Sequence, residues 1–306
     1  MVGATETRVV GLLGLGPMGS NLALRLVAAG FDVLGTSRST RTRESAAGRG
    51  IDVVETPREL GEQARARANG ATPVLVVSLP AGPEVREALL GGGGALGAGD
   101  FAIVDTSTCA PHDSRSLAEE LHTRGLAVVD APVSGGPTAA REGTLSVMAG
   151  GTAGDLAAVD DVLRAFAGQL VVCGGPGAGQ VAKACNQLVV TANIAVVAEA
   201  LVTASALGAD PAAVREALLG GYASSRILEL HGDRMLRRDF SLGGAARTNL
   251  KDVGIIRELT EGVVDNQVFE AAAQVMQQLV ESGGGDLDHS AAVKVVERRA
   301  GHGLAE

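Results

Sequence analysis

Apolar positions fall into two textures along the chain. In the first half, short unbroken aliphatic runs alternate with stretches whose apolar residues recur every three or four positions. Residues 8–13 (RVVGLL) are an apolar run ending at glycine and predict a buried strand. Residues 18–29 carry helical spacing, with Leu22, Leu26 and Ala29 on one side and Gly30 as the stop signal. Residues 31–36 predict a second strand and 51–54 a weaker third. Thr56-Pro57 then opens a helix as cap and first-turn proline. Residues 74–79 (VLVVSL) are the clearest strand, followed by 101–104, 127–129 and 144–149. Strands alternating with helices imply an α/β, doubly wound, mostly parallel sheet. Its strands are covered on both faces, which is why they read as continuous aliphatic runs.

The texture changes after Val171-Val172-Cys173, where Gly174-Gly175-Pro176-Gly177 breaks the chain. Beyond it the pattern is helical. Residues 180–207 predict one long apolar helix, Gly208 and Asp210-Pro211 end it and begin another, and helices continue to about Arg299 with a loop at Gly283-Gly284-Gly285. The prediction is a Rossmann-type dinucleotide-binding domain over 1–174 and an all-helical domain over 175–306, with a long interdomain helix. The charge-free stretch 184–198 has 15 residues. That is short of the ~18–20 needed to span a bilayer, so a buried helix and no membrane are expected. Apolar almost all round, this helix predicts a homodimer or homotetramer through the helical domain.

Composition narrows the class. The chain has 306 residues, 46% hydrophobic and 20% charged, which is globular. A net charge of −9 and only one Tyr, five Phe and no Trp exclude a basic, base-stacking nucleic-acid binder. Cys109, Cys173 and Cys185 are odd in number and widely spaced, and the five histidines show no HExxH spacing. No disulfide framework and no metal are expected, and a reducing cytoplasm is. The first eight residues carry no signal-type apolar core.

Against that background a few residues carry chemistry. Gly14, Gly16 and Gly19 form GxGxxG between a predicted strand and helix, with Leu15, Pro17 and Met18 in the same loop. The first glycine permits the tight turn, the second lets backbone approach a pyrophosphate, and the third packs helix on strand. The tip of the second strand reads Thr36-Ser37-Arg38-Ser39-Thr40, with no carboxylate until Glu44. Arg38 offers a fork to a 2′-phosphate, with Ser37, Ser39 and Arg41 beside it, so NADP(H) is favoured over NAD(H). The alternative is that Arg38 stacks on adenine and both cofactors bind. Ser78-Leu79-Pro80 and residues 105–108 also end strands. Leu79, Pro80 and Thr108 are candidate walls for the nicotinamide, and loop capping is the alternative for Ser78 and Asp105.

Asp130-Ala131-Pro132-Val133-Ser134-Gly135-Gly136 follows another strand. Its Ser134, Gly135 and Gly136 can present successive N–H groups to a carboxylate, or form a plain turn. Lys183 is the sole cation between Arg164 and Arg215, and helical spacing puts Asn186 and Gln187 beside it. Such a lysine either snorkels or is functional.

GLGPMG, DAPVSGG, GAGQVAKACNQ and Asn249-Leu250-Lys251-Asp252, in this order over residues 8–293, resemble the β-hydroxyacid dehydrogenase family. That family includes 3-hydroxyisobutyrate dehydrogenase and tartronate semialdehyde reductase and has a 6-phosphogluconate dehydrogenase-type NAD(P)-binding fold. The resemblance implies reversible hydride transfer between NADP(H) and a small hydroxy acid, aldehyde or keto acid. It implies Lys183 as general acid/base and Asn186 as its oxygen-orienting partner. It implies Ser134, Gly135, Gly136 and Gln187 around the substrate, with Lys251 approaching substrate and nicotinamide. Val253 stands where the family usually has leucine, and 61–73 is a longer connection than usual. Residues 240–248 (FSLGGAART) are small and polar and are expected to line the substrate pocket. Imine reductases share the glycine motifs and typically carry another residue at the lysine position, which makes them the alternative enzyme class. A noncatalytic dinucleotide-binding module is the other alternative.

Overall fold

The structure, a computed structural model, describes residues 7–241 and 243–304. Residues 1–6, the bulk of the segment read as lacking a leader core, lie outside the described residues. The chain packs as two units, one up to Lys183 and one from Ala184.

The first unit runs β1 (Val9–Leu13), α1 (Pro17–Ala28), β2 (Asp32–Thr36), α2 (Thr40–Ala47), β3 (Asp52–Val54), α3 (Pro57–Arg67), β4 (Val74–Val77), α4 (Gly82–Leu90) and β5 (Ala102–Asp105). It continues with α5 (Pro111–Thr123), β6 (Val128–Asp130), β7 (Val133–Ser134), α6 (Gly136–Glu142), β8 (Leu145–Gly150), α7 (Ala153–Phe166) and β9 (Ala167–Gly174). Nine strands form one sheet in the order β3-β2-β1-β4-β5-β6-β8-β7, with β9 pairing β8. The pairs from β3 through β6 are parallel, β8 is antiparallel to β6 and β7, and β9 returns parallel to β8.

Period-two alternation splits each central strand between two cores. Val10 and Leu12 of β1, with Val74 and Val76 of β4, pack on the face covered by α1 and α7 through Leu22, Leu26, Val159, Leu163 and Phe166. Val9, Leu13, Leu75 and Val77 pack on the other, under Leu60 of α3, Leu89 of α4 and Leu121 of α5. Both sets exclude water, so the runs look uniformly aliphatic in sequence.

Three elements of this unit differ from the pattern-based expectation. α2 follows the Arg38 loop on a polar sequence, and its start is fixed by Ser39, whose hydroxyl accepts the Thr42 N–H. β7 is two residues long. β9 is mostly exposed, including Val171 and Val172, and has little apolar burial to announce it.

The second unit is helical. α8 (Ala178–Ala206) begins in the first unit and continues into the second. α9 (Pro211–Leu219), α10 (Arg226–Arg237), α11 (Ala246–Thr260), α12 (Gln267–Leu279) and α13 (Val293–Ala300) follow. At the glycines read as a loop, α12 passes into a π-type turn at Val280–Gly284, which Gly283 closes at φ 86°. By length and composition α8 qualifies as a membrane-crossing helix, a length the charge-free stretch alone understated. It is instead a core helix. Ile194, Val197, Ala198, Leu201 and Val202 pack with Leu228, Met235, Val275, Met276 and Val293 at the centre of this unit.

Candidate active site

The carboxyl ends of the parallel strands are stitched edge to edge. Gly14 donates its N–H to Thr36 O at 3.0 Å and Ser78 donates to Leu13 O at 2.8 Å. Leu79 N–H reaches the Ser107 hydroxyl at 3.0 Å, and Ala131 N–H reaches Asp105 O at 2.7 Å. The loops after β1, β2, β4, β5 and β6 therefore form one continuous rim, where ligands bind in open α/β sheets.

The glycine loop fits a dinucleotide. Gly14 has φ 100°, and a Cβ there would stand 2.3 Å from Ser78 O. A Cβ on Gly19 would stand 1.8 Å from Gly14 O, so helix and turn touch through it. Around Gly16 nothing lies within 4 Å of a Cβ, and no side chain caps α1, whose first turn holds no acidic residue. An open glycine at an uncapped helix N-terminus is the shape a pyrophosphate fills. Leu15 is buried beneath Gly35 and offers only backbone, Pro17 takes the first helical position, and Met18 packs against the core.

At the tip of β2, Arg38 and Ser39 are exposed and Ser37 is half-buried. The sequence reading missed Arg43. Its Nη1 donates to Ser37 O at 2.6 Å and to Arg38 O at 3.3 Å, and its Nη2 to Thr40 Oγ1 at 3.1 Å, so it braces the loop that presents Arg38. The only signal was a third arginine one turn beyond the helix cap. Leu79 and Thr108 are half-buried and Pro80 exposed on neighbouring loops of the rim.

Lys183 and the 134–136 loop meet in the first unit. Lys183 is buried, 8% exposed, and its Nζ donates to Val133 O at 2.8 Å. It does not snorkel. Gly135 and Gly136 have φ 135° and 75°; a Cβ on Gly135 would collide with Ala139 at 2.7 Å, whereas around Gly136 there is open space. Gly136 thus leaves open backbone three residues along the chain from the carbonyl that holds the ammonium.

Asn186 and Gln187 follow one turn later on α8, where Asn186 Nδ2 donates to Gln187 Oε1 at 2.9 Å. Gln187 Nε2 donates to Asp252 Oδ2 at 2.6 Å. One turn further, Thr191 exchanges hydrogen bonds with Asn249 at 3.1 and 3.2 Å. Gln187 and the Asn249-to-Asp252 motif therefore also have a structural part, binding α11 to α8 within the second unit. Lys251 Nζ lies 3.2 Å from Asp252 Oδ1.

Two buried carboxylates stand behind the rim. Asp105 accepts Ser107 N–H at 2.9 Å, and burial pushes its carboxyl up to about 6. Asp130 accepts the N–H groups of Gly177 and Gln180, and burial pushes it up to about 6 as well, against the lowering effect of those bonds.

His231, Asp288 and His289 converge in the second unit, with potential ligand atoms within 4.8 Å of one another. Asp288, however, accepts from Gly243, Gly244 and Ser290 and pairs with Arg234. Those bonds use both of its oxygens, and it pins the glycines of the 240–248 segment. Residue 242 of that segment lies outside the described residues.

A parallel sheet with a glycine-rich rim of this kind defines a dinucleotide-binding fold. Comparison with known proteins agrees. A model of the NAD binding domain of 6-phosphogluconate dehydrogenase matches residues 9–175, and one described as NAD-binding of NADP-dependent 3-hydroxyisobutyrate dehydrogenase matches 177–296. The chain is 37% identical over 299 residues to 2-hydroxy-3-oxopropionate reductase of Escherichia coli K12, covering 97% of this chain and 99% of that one. It is 36% identical over 224 residues to 3-hydroxyisobutyrate dehydrogenase of Pseudomonas aeruginosa, covering 72% of each. The solved structure of Mycobacterium tuberculosis 3-hydroxyisobutyrate dehydrogenase with L-serine superposes at a TM-score of 0.80 and 27% identity, over 95% of this chain and 99% of that one. The chain belongs to the β-hydroxyacid dehydrogenase family and is an NAD(P)-dependent oxidoreductase acting on CH–OH groups.

Proposed function

We propose that this enzyme reversibly reduces a short aldehyde or keto acid to the hydroxy acid, with Lys183 as general acid in reduction and base in oxidation. The observation that carries this reading is the buried Lys183 ammonium held on Val133 O, one residue before the Ser134-Gly135-Gly136 loop. When bound, the reduced dinucleotide supplies hydride to the carbonyl carbon. Lys183 Nζ then hands a proton to the oxygen on which charge develops, and Asn186 Nδ2 donates a hydrogen bond to the same oxygen. The Ser134 hydroxyl and the backbone N–H groups of Gly135 and Gly136 hold the substrate carboxylate. Help of this acid–base kind is typically worth ~10²–10⁴ in rate.

NADP(H) is the preferred cofactor in this reading. Arg38 is exposed at the β2 tip, Arg43 braces its loop, and the segment from Ser37 to Arg43 has no carboxylate. Gly14, Leu15, Gly16, Pro17, Met18 and Gly19 cradle the pyrophosphate, Ser37 and Ser39 flank the ribose phosphate, and Leu79, Pro80 and Thr108 wall the nicotinamide. Gln187 and Lys251 keep their substrate and cofactor roles on the family resemblance. The exposed Val189 and Val196, seven residues apart on α8, support a homodimer or homotetramer through the helical half. The odd number and wide spacing of Cys109, Cys173 and Cys185 support a reducing cytoplasm.

The test is oxidation of NADPH and NADH by pure protein against a panel of short aldehyde acids, keto acids and cyclic imines. Turnover of the carbonyl acids with NADPH is expected. Turnover of imines alone would assign the imine reductase class, and no turnover of any kind would leave a binding module.

A further inference from the structure

Asp130 opens the DAPVSGG segment, yet its carboxylate does not face the 134–136 loop. Its Oδ1 accepts the Gly177 N–H at 2.7 Å and its Oδ2 accepts the Gln180 N–H at 3.0 Å. These amides belong to the entry and first turn of α8, the helix that carries Lys183 on its next turn. The surroundings are cut to fit. A Cβ on Gly150 would lie 2.6 Å from Asp130 Oδ1, and one on Gly179 would lie 2.8 Å from Oδ2. Gln180 ties the same turn to the end of β5: its Oε1 accepts Cys109 N–H at 3.0 Å and its Nε2 donates to Ser107 O at 2.9 Å. Lys183 in turn donates to Val133 O, three residues along the chain from Asp130.

We propose that Asp130 is a positioning residue whose ionised carboxylate clamps the start of α8 to the tip of β6 and thereby sets where Lys183 Nζ stands beside the Ser134-Gly135-Gly136 loop. This rests on the reading of Lys183 as the proton donor. The clamp needs two acceptor oxygens, which only the carboxylate offers. An asparagine, or a protonated Asp130, turns one of them into a donor aimed at an N–H. Misplacing a reacting group by about 1 Å is enough to lose ~10²-fold in rate.

The carboxyl's pH response follows from its surroundings. Burial, and to a smaller extent Asp105 on β5, raise it to about 6 against the lowering effect of the Gly177 and Gln180 N–H groups. Cys173 on β9 feels its charge, Arg115 of α5 packs against Gly177, and Lys183 lies on α8 itself. Turnover is therefore expected to climb with pH through about 6, as the clamp engages.

The full-length protein is compared with Asp130→Asn and Lys183→Ala. Asp130→Asn should lower kcat roughly 10–100-fold with the KM for dinucleotide little changed. It should flatten the acidic limb of kcat near pH 6 and speed amide hydrogen exchange over residues 175–183. If Lys183→Ala loses turnover while Asp130→Asn keeps wild-type kcat, acidic limb and exchange protection, the clamp is overturned and the lysine reading stands. If Lys183→Ala keeps turnover, the lysine reading falls, and exchange over 175–183 alone decides whether Asp130 clamps the helix. Should Asp130→Asn fail to fold, exchange in the wild type decides. After correction for intrinsic rates, the Gly177 and Gln180 amides that Asp130 accepts should be strongly protected at neutral pH. Exchange of these two amides as fast as that of open backbone overturns the proposal.

Discussion

Burying an ammonium is expensive unless it is given acceptors. Lys183 finds one in Val133 O and stays in the interior, although a lysine four carbons long on an exposed helix face would reach water. Asp105 shows the opposite choice at the same rim. Its folded carboxyl binds a proton more tightly than the unfolded chain does, because burial raises it from 3.8 to about 6. Stability therefore falls as pH rises between about 4 and about 6 and is level above, a loss of about 3 kcal/mol for a gap of that size. Asp130 acts in the same direction. Thermal melts of Asp105→Asn across this range should show a visibly shallower fall than the wild type, and an unchanged fall would contradict the assignment. Arg38 makes a separate prediction. Arg38→Asp should shift preference toward NADH by about tenfold or more, since it replaces a phosphate fork with a ribose acceptor. Better use of NADH by the wild type would overturn the argument.

Among the elements, the glycine loop separates folding from binding. Gly16 has φ −62° and open space around it, so Gly16→Ala should melt like the wild type and lose dinucleotide affinity. Gly19→Ala places a methyl 1.8 Å from Gly14 O and should destabilise the fold itself. Calorimetry with and without dinucleotide distinguishes the two, and equal melting losses would contradict the description of Gly16. β1, β4 and β5 were legible because each buries a nearly unbroken aliphatic run, and α8 because its sequence is long, apolar and almost free of charge. β9 was not, because its apolar residues face outward, and α2 was not, because a side-chain cap rather than an apolar stripe sets its start. In the site, GxGxxG and Lys183 stood out by spacing and by charge in an apolar stretch. Arg43 and the Asp130 clamp did not. Each works through backbone groups that only the fold brings within reach: the Ser37 and Arg38 carbonyls for Arg43, and amides nearly fifty residues along the chain for Asp130.

For the whole molecule, a net charge of −9 coexists with Arg38, Arg41 and Arg43 gathered at one strand tip. The chain repels polyanions at large while one strand tip stays locally basic. The second unit leaves Val189 and Val196 of α8 exposed, and an assembly that covers them should sediment as at least a dimer at micromolar concentration. A clean monomer would refute the assembly. The central claim is narrower, that the Lys183 ammonium moves the proton. It is tested most directly by measuring kcat and dinucleotide affinity together in Lys183→Ala. The account predicts a fall of ~10²–10⁴ in kcat with affinity nearly intact. Wild-type turnover in that variant would contradict it.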